Sequence, residues 1–364
     1  FVGSLLISND AGTGTLDAAS NNTGIGHEVF DDITTGDDNT ALGYQALTVL
    51  TTGGSNTAVG SAALIANTTG ASNTAVGRCA LNANISGANN IGIGFGAAKT
   101  NTTGIGNVAI GGNSLKLNTT GCYNISIGKD TMEANTEGGC NVAVGYLALD
   151  ANTEGEKNTA IGYNALSANT TADMNTAIGS QALDTNTTGC LNTAVGHRSM
   201  DTNTEGCFNT AAGAYSLYGN TTGDFNVGVG QDALFTNTTA DDNTAVGYKA
   251  MCLNETGGNN TAVGFCALAA NTSASDNVAI GYTAGGCNTT GSKSIYIGFQ
   301  AGDVTTTPAA NVFIGYQAAD ANTTGASNTA VGCGALGANQ TTDCNVAIGK
   351  GAMLVAVNGD NTAV

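Results

Sequence analysis

The chain has 364 residues, of which only 10% are charged, and its 9 basic and 27 acidic side chains give a net charge of −18. This balance excludes the clustered Lys and Arg through which proteins bind nucleic-acid phosphates. No segment approaches the roughly 20 consecutive apolar residues of a membrane-spanning helix, so we expect no membrane insertion.

The first segment of the chain is irregular, whereas a strict 17-residue repeat begins at Asn22 and returns without a slip to Asn345. The unit reads approximately N-T-A-[VI]-G-Y-x-A-L-x-A-N-T-T-G-x-x, and we number its positions 1 to 17 from the leading Asn. Phe1-Val2-Gly3 matches positions 3 to 5, but the next equivalent glycine is Gly26, so this first coil would carry six extra residues. Residues 1–21 are therefore predicted to form an irregular N-terminal coil, a cap or a segment that joins a neighbouring chain.

A unit of 17 residues cannot bury a core of its own, so the repeat predicts one coil of a stacked solenoid. Glycines at positions 5 and 15 mark the corners. A short strand is predicted at positions 2 to 4 and a second extended segment at positions 7 to 11, with positions 3, 4, 8 and 9 forming the core. The predicted fold is all-β: a parallel β-solenoid (β-roll) of about 20 coils over residues 22–360, an elongated rod of roughly 95 Å. Residues 361–364 begin a further repeat.

Asparagine dominates two positions of the repeat, occurring at position 1 in nineteen of twenty units and at position 12 in sixteen. Stacked amides can hydrogen-bond from coil to coil, which predicts a structural Asn ladder. Its representative members are Asn39, Asn56, Asn73, Asn158, Asn175 and Asn192. The alternative is N-glycosylation at N-x-[ST] sequons, with candidates at Asn67, Asn101, Asn118, Asn169, Asn186, Asn237 and Asn288. Glu breaks the sequon after Asn135, Asn152 and Asn203 although the Asn itself stays, which favours the ladder.

Two further positions of the repeat suggest contacts. Position 6 carries nine aromatic residues and also Arg78 and Lys129, which predicts a half-exposed stripe or a platform for sugars or partner chains. Position 17 is mostly polar, but four consecutive coils place apolar residues there. This strip predicts a subunit interface or local packing, and it consists of Met174, Leu191, Phe208 and Phe225.

Ten cysteines fall at several repeat positions. Cys190 and Cys207 share position 16 in adjacent coils, and Cys122 and Cys140 lie one position apart in adjacent coils. Coil spacing would bring each pair within disulfide range, so both are candidate disulfides, which would imply an oxidising compartment. Because no metal-ligand spacing and no convergent set of acid, base or nucleophile occurs, we expect no metal, no cofactor and no catalytic residue.

The best-preserved units are Asn158–Leu166, which reads N-T-A-I-G-Y-N-A-L, and Asn243–Tyr248, which reads N-T-A-V-G-Y. This motif resembles the repeats of phage-type tail-fibre proteins and of bacterial surface-fibre proteins, and more distantly the head repeats of trimeric autotransporter adhesins. The resemblance covers about residues 22–360 and implies a parallel β-roll, commonly trimeric, at the outside of a cell or virion.

The leading expectation is therefore a structural protein of an extracellular or virion-associated fibre or filament, at the cell or virion surface, with lateral adhesion along its side. It would associate with itself, either as a homotrimer or by end-to-end stacking, and surface glycans are a further expected partner. One alternative is an ice-binding β-solenoid, because Thr occupies position 2 in eleven units, although the other nine carry Val or Ile. A carbohydrate-cleaving β-helix enzyme is the least supported alternative, because the carboxylates do not converge.

Overall fold

The computed structural model describes residues 4–7, 18–356 and 358–364. The chain divides into two compact units, Phe1–Gln181 and Ala182–Val364. In each unit every coil contributes one short strand, and no helix occurs within the described ranges. The predicted all-β, parallel β-solenoid fold with 17-residue coils is confirmed.

The strands are three residues long except the last, which has two. Those of the first unit are β1 (Leu5–Ile7), β2 (Thr23–Ile25), β3 (Thr40–Leu42), β4 (Thr57–Val59), β5 (Thr74–Val76), β6 (Ile91–Ile93), β7 (Val108–Ile110), β8 (Ile125–Ile127), β9 (Val142–Val144), β10 (Thr159–Ile161) and β11 (Thr176–Ile178). Those of the second unit are β12 (Thr193–Val195), β13 (Thr210–Ala212), β14 (Val227–Val229), β15 (Thr244–Val246), β16 (Thr261–Val263), β17 (Val278–Ile280), β18 (Ile295–Ile297), β19 (Val312–Ile314), β20 (Thr329–Val331), β21 (Val346–Ile348) and β22 (Thr362–Ala363).

Within each unit, successive strands pair in parallel and in register, so that each residue lies beside the residue at the same repeat position of the next coil. The first step is longer: Leu5 pairs with Thr23, and the Asn22 amide donates to the Ser4 hydroxyl at 2.9 Å over a separation of 18 residues. Ser4 thus takes the place of the position-1 Asn, and the first coil carries one extra residue rather than the six expected from the match of Phe1-Val2-Gly3. That tripeptide, and much of the segment predicted to cap or join chains, lies outside the described residues.

The strand alternation corrects the expected core. Position 3 points inward, and Ala58 and Ala160 are fully buried there, as are most residues at positions 8 and 9. Position 4 was expected in the core, but it faces outward: Leu42 is 45% exposed and Ile161 38%. The reason is geometric, because a three-residue strand with its middle residue inside must turn both flanking residues to the opposite face.

Turns replace the second extended segment expected at positions 7 to 11. Positions 7 and 9 adopt left-handed backbone angles in non-glycine residues, for example φ 55° at Gln45 and φ 52° at Leu47. The Gln45 amide donates to the His27 carbonyl of the preceding coil, and the Leu47 amide donates to the Ala63 carbonyl of the next. These bonds between coils offset the roughly 1–2 kcal/mol that a left-handed residue costs.

The corner glycine at position 5 is required by close approach of the backbone. Gly60 has φ 137°, and a Cβ added there would lie 2.6 Å from the carbonyl oxygen of Gly77 in the next coil. No side chain fits such a gap, which explains why glycine fills this position in all twenty units.

One part of the second unit exchanges the usual sizes of its core residues. Tyr296 and Phe313 replace the small residue at position 3, and both are fully buried. Gly285 and Gly302 replace the Leu at position 9, and a Cβ at either would come within 2.7 Å of the Tyr296 ring. Glycine at position 9 therefore makes room for the large aromatic residue at position 3. Burial raises the pKa of Tyr296 to about 12.

Candidate functional site: the outward sheet face and the side-chain ladders

The most extensive candidate site is the outward face formed by positions 2 and 4 of the strands. We call it the outward sheet face. Position 4 carries Val, Ile, Leu or Ala, and position 2 carries Thr, Val or Ile, so neither position contributes a charge in any of the twenty repeats. Typical exposures at position 4 are 37% at Val76 and 40% at Val195, each within its own unit. Sequence reasoning missed this face, although large residues flanking a small one within three residues were a signal for it.

The size of this face matches that of the largest apolar patches found on typical monomers. In the first unit β2 to β11 contribute ten strands, which at about 4.8 Å per strand and about 10 Å across give roughly 500 Å². The second unit offers a similar area from β12 to β21. The largest apolar patch on a typical monomer covers about 300–600 Å², so one unit alone reaches that range.

The position-1 asparagines form a buried row inside each unit. Asn39 Oδ1 accepts from the backbone amide of Asn56 at 2.9 Å and from its Nδ2 at 3.0 Å, and Asn73 bonds to Asn56 in the same way. Asn175 donates its backbone amide to Asn158 Oδ1 at 2.9 Å. In the second unit Asn192 Nδ2 donates to the Gly206 carbonyl at 2.7 Å. Each amide thus satisfies backbone groups of neighbouring coils.

The position-12 asparagines form a second buried row, which is also hydrogen-bonded from coil to coil. Asn118 Nδ2 donates to Asn101 Oδ1 at 2.7 Å and to the Gly121 carbonyl at 3.0 Å, and its side chain is fully buried. Glycosylation needs that nitrogen accessible, so its burial argues against the glycosylation interpretation for the folded chain. The same argument applies to the other candidates, which are all buried: Asn67, Asn101, Asn169, Asn186, Asn237 and Asn288.

The aromatic residues of position 6 stack on one another. In the second unit five consecutive rings have centroid separations of 5.0–5.3 Å and interplanar angles of 6–22°. They are 39–53% exposed. The rings are Tyr248, Phe265, Tyr282, Phe299 and Tyr316. A sugar platform needs an open ring face, and the three middle rings have both faces covered by neighbours.

The predicted apolar strip at position 17 is exposed in each unit. Met174 in the first unit is 46% exposed, and in the second unit Leu191, Phe208 and Phe225 are 43%, 48% and 53% exposed. The rings of Phe208 and Phe225 stack at 4.9 Å with an angle of 8°. Stacking covers one face of each ring, whereas the outer edges remain available for a contact.

The structure treats the two cysteine pairs differently. The Sγ atoms of Cys190 and Cys207 lie 3.0 Å apart, and the Cys190 amide donates to Cys207 Sγ at 3.0 Å. Cys122 and Cys140 are adjacent through their backbones, with the Cys140 amide donating to the Cys122 carbonyl at 2.9 Å. Cys122 Sγ instead accepts from the amide of Ile105. Only the first pair thus has its sulfur atoms in contact.

Within the described part of the chain, no group of three or more His, Cys, Asp or Glu side chains is arranged to hold a metal ion. In the same residues, no helix has the length and apolar character needed to cross a membrane. The chain matches no protein-family model and no curated protein. The outward sheet face and the stacked rows are therefore the features from which function must be argued.

Proposed function

We propose that the chain is a structural protein of an extracellular or virion-associated fibre or filament, and that copies of it associate through the outward sheet face. The observation that carries this proposal is the face itself, which consists of outward rows of Val, Ile and Thr without a charge. An isolated chain leaves these side chains in water, whereas a second copy offers a face of the same chemistry.

Charge distribution supports the same partner. The chain carries a net charge of −18, so copies repel one another wherever their acidic surfaces meet. The outward sheet face lacks charge and is where this repulsion is weakest. The face of one unit alone offers roughly 500 Å², which is more than half of the about 800 Å² per partner in a standard interface. A homotrimer would use this lateral face directly, whereas end-to-end stacking would leave it uncovered, so we favour the homotrimer.

The interior supports a structural role. Rows of Asn amides link successive coils, and a row of Thr hydroxyls at position 13 does the same, for example from Thr102 to the Thr119 carbonyl at 2.9 Å. Hydrogen bonds at each level resist local opening, because breaking one coil exposes buried polar groups of its neighbours. Resistance of this kind suits a protein that bears load outside a cell.

Light scattering on a charge variant tests the proposal. Ile93→Lys with Ile127→Lys places two cations on the face, and burying them against another copy would be strongly unfavourable. The matched control is Thr103→Lys with Thr120→Lys, at exposed sites of position 14. We expect the native chain and the control to form a multiple of 35.7 kDa, and the face variant to shift toward one chain. A native mass of one chain, or a face variant with unchanged mass, would contradict the proposal.

Ice binding is a second candidate because the eleven Thr residues of position 2 lie on the outward sheet face, beside the Val, Ile, Leu or Ala of position 4. A flat, repetitive and uncharged surface suits ordered water as well as a partner chain. Thermal hysteresis of the native chain separates the two functions. Clear hysteresis that disappears in the Ile93→Lys, Ile127→Lys variant would favour ice, and none at millimolar concentration would exclude it.

A further inference from the structure

A stack of rings in the second unit ends at an open ring face. Tyr218 and Phe235 occupy position 10 of adjacent coils and stack at 5.1 Å with an angle of 8°, which covers one face of Phe235. The next residue of this row is Cys252, whose side chain is too small to continue the stack. Beside this ring face lies a cavity of about 300 Å³, which is lined by Asp232, Phe235, Lys249, Cys252 and Leu253.

The walls of this cavity combine apolar and charged groups. Phe235, Leu253 and the half-buried Cys252 form the apolar part; burial raises the pKa of Cys252, which keeps its thiol neutral. Asp232 and Lys249 supply opposite charges from position 7 of adjacent coils. Asp232 Oδ2 also accepts from Gln231 Nε2 at 3.4 Å, and Lys249 Nζ lies 5.4 Å from the centroid of the Tyr248 ring, so a ligand would share both groups with these neighbours. The backbone amides of both residues donate to carbonyls of the preceding coils at 3.1 and 3.0 Å, so the backbone from which each side chain projects is held in place.

We propose that this cavity binds a single pyranose ring of a carbohydrate. The apolar face of the sugar would stack on Phe235 as the next member of the ring stack, and its hydroxyls would donate to Asp232 and accept from Lys249. The volume of about 300 Å³ lies at the small end of ligand pockets and fits one monosaccharide. A flat aromatic acid would also stack, but its carboxylate would be attracted by Lys249 and repelled by Asp232, whereas a neutral sugar can hydrogen-bond to both groups.

The chain holds its own comparison site. Tyr282 is also a half-exposed stacked ring, but Phe265 and Phe299 cover its two faces at 5.0 and 5.2 Å. It has no face to offer a sugar, although its exposure is 46%. The proposal concerns one cavity on one chain and does not depend on association of copies.

Saturation-transfer NMR on the full chain tests it with three neutral probes, the methyl glycosides of glucose, galactose and mannose, and with phenylacetate as an aromatic acid. We expect at least one glycoside to bind through its ring C–H protons. Phe235→Ala should weaken binding at least tenfold and Asp232→Asn several-fold, whereas Tyr282→Ala should leave it unchanged. Phe235→Leu, which keeps bulk without a ring, guards against a loss that reflects only local unfolding, and circular dichroism checks each fold.

Three outcomes would overturn the proposal. None of the glycosides gives a saturation signal; a glycoside binds the native chain and both Phe235 variants equally; or phenylacetate alone binds. Loss of binding in Phe235→Ala and Phe235→Leu together, with Tyr282→Ala unaffected, supports the assigned ring face. The result is separable from that of the association test, because the variants lie at positions 7, 10 and 6 of the repeat rather than on the outward sheet face.

Discussion

Replacing Asn135 with Ala measures how much one buried amide of position 12 contributes to stability. Asn135 Nδ2 donates to Asn118 Oδ1 at 2.8 Å and to the Gly138 carbonyl at 3.0 Å, and its own Oδ1 accepts from Asn152 Nδ2 at 2.8 Å. The substitution removes all three bonds from a fully buried site. At about 1 kcal/mol for each bond, and about 1 kcal/mol more for the stranded Asn118 oxygen, the free energy of unfolding should fall by about 4 kcal/mol.

Asn82→Ala is the matched control. Asn82 is half-buried and makes one side-chain bond, to the Ala62 carbonyl at 3.1 Å, so its removal should cost about 1 kcal/mol. Guanidinium unfolding gives the two free energies. Amide hydrogen exchange then locates the loss, which should be concentrated in the coils next to Asn135, because each coil of a solenoid depends on its neighbours. Equal losses for the two variants would refute the reasoning that the buried row is a main source of stability.

Three further predictions concern the corner, the cysteine pair and the buried tyrosine. Gly60→Ala should destabilise the chain by about 3 kcal/mol or more through overlap with the next coil, whereas Gly112→Ala, whose added Cβ meets nothing within 4 Å, should be neutral or slightly stabilising by denaturant unfolding. Oxidation with glutathione disulfide should join Cys190 to Cys207 with loss of two hydrogens by mass spectrometry, and should raise stability by about 3 kcal/mol; a pair that remains reduced would count against the contact. The unfolded chain releases the Tyr296 proton near pH 10 and the folded chain near pH 12. Stability should therefore fall across that interval by about 3 kcal/mol more in the native chain than in Tyr296→Phe, and parallel pH curves would contradict this.

Much of the fold follows from the repeat. The 17-residue period, the corner glycine and the short strand at positions 2 to 4 determine a parallel solenoid, and each is visible in the sequence. The direction of the strand faces is not visible in the same way. A prediction from hydrophobicity alone puts the larger Val or Ile of position 4 in the core. In the structure, the narrow interior is filled instead by Ala at position 3, by Leu at position 9 and by two rows of Asn.

The turns were hidden for a different reason. Left-handed backbone angles are usually signalled in a sequence by Gly or Asn, but positions 7 and 9 carry residues such as Arg198 and Met200, both with φ near 52°. Hydrogen bonds between coils hold these angles, and such bonds cannot be inferred from one unit. The repeat does place Phe235 and Cys252 at position 10 of adjacent coils, but the cavity between their side chains becomes visible only in the folded chain.

Photo-cross-linking from the outward sheet face tests the central claim most directly. A benzophenone amino acid is placed at Ile127, on β8, and in a separate control at Thr120, an exposed site outside the face. Association through the face predicts covalent oligomers from the first position, with cross-links mapped by mass spectrometry to positions 2 or 4 of another copy, and few from the second. Only single chains from Ile127, or cross-links that map to other positions of the repeat, would contradict the account.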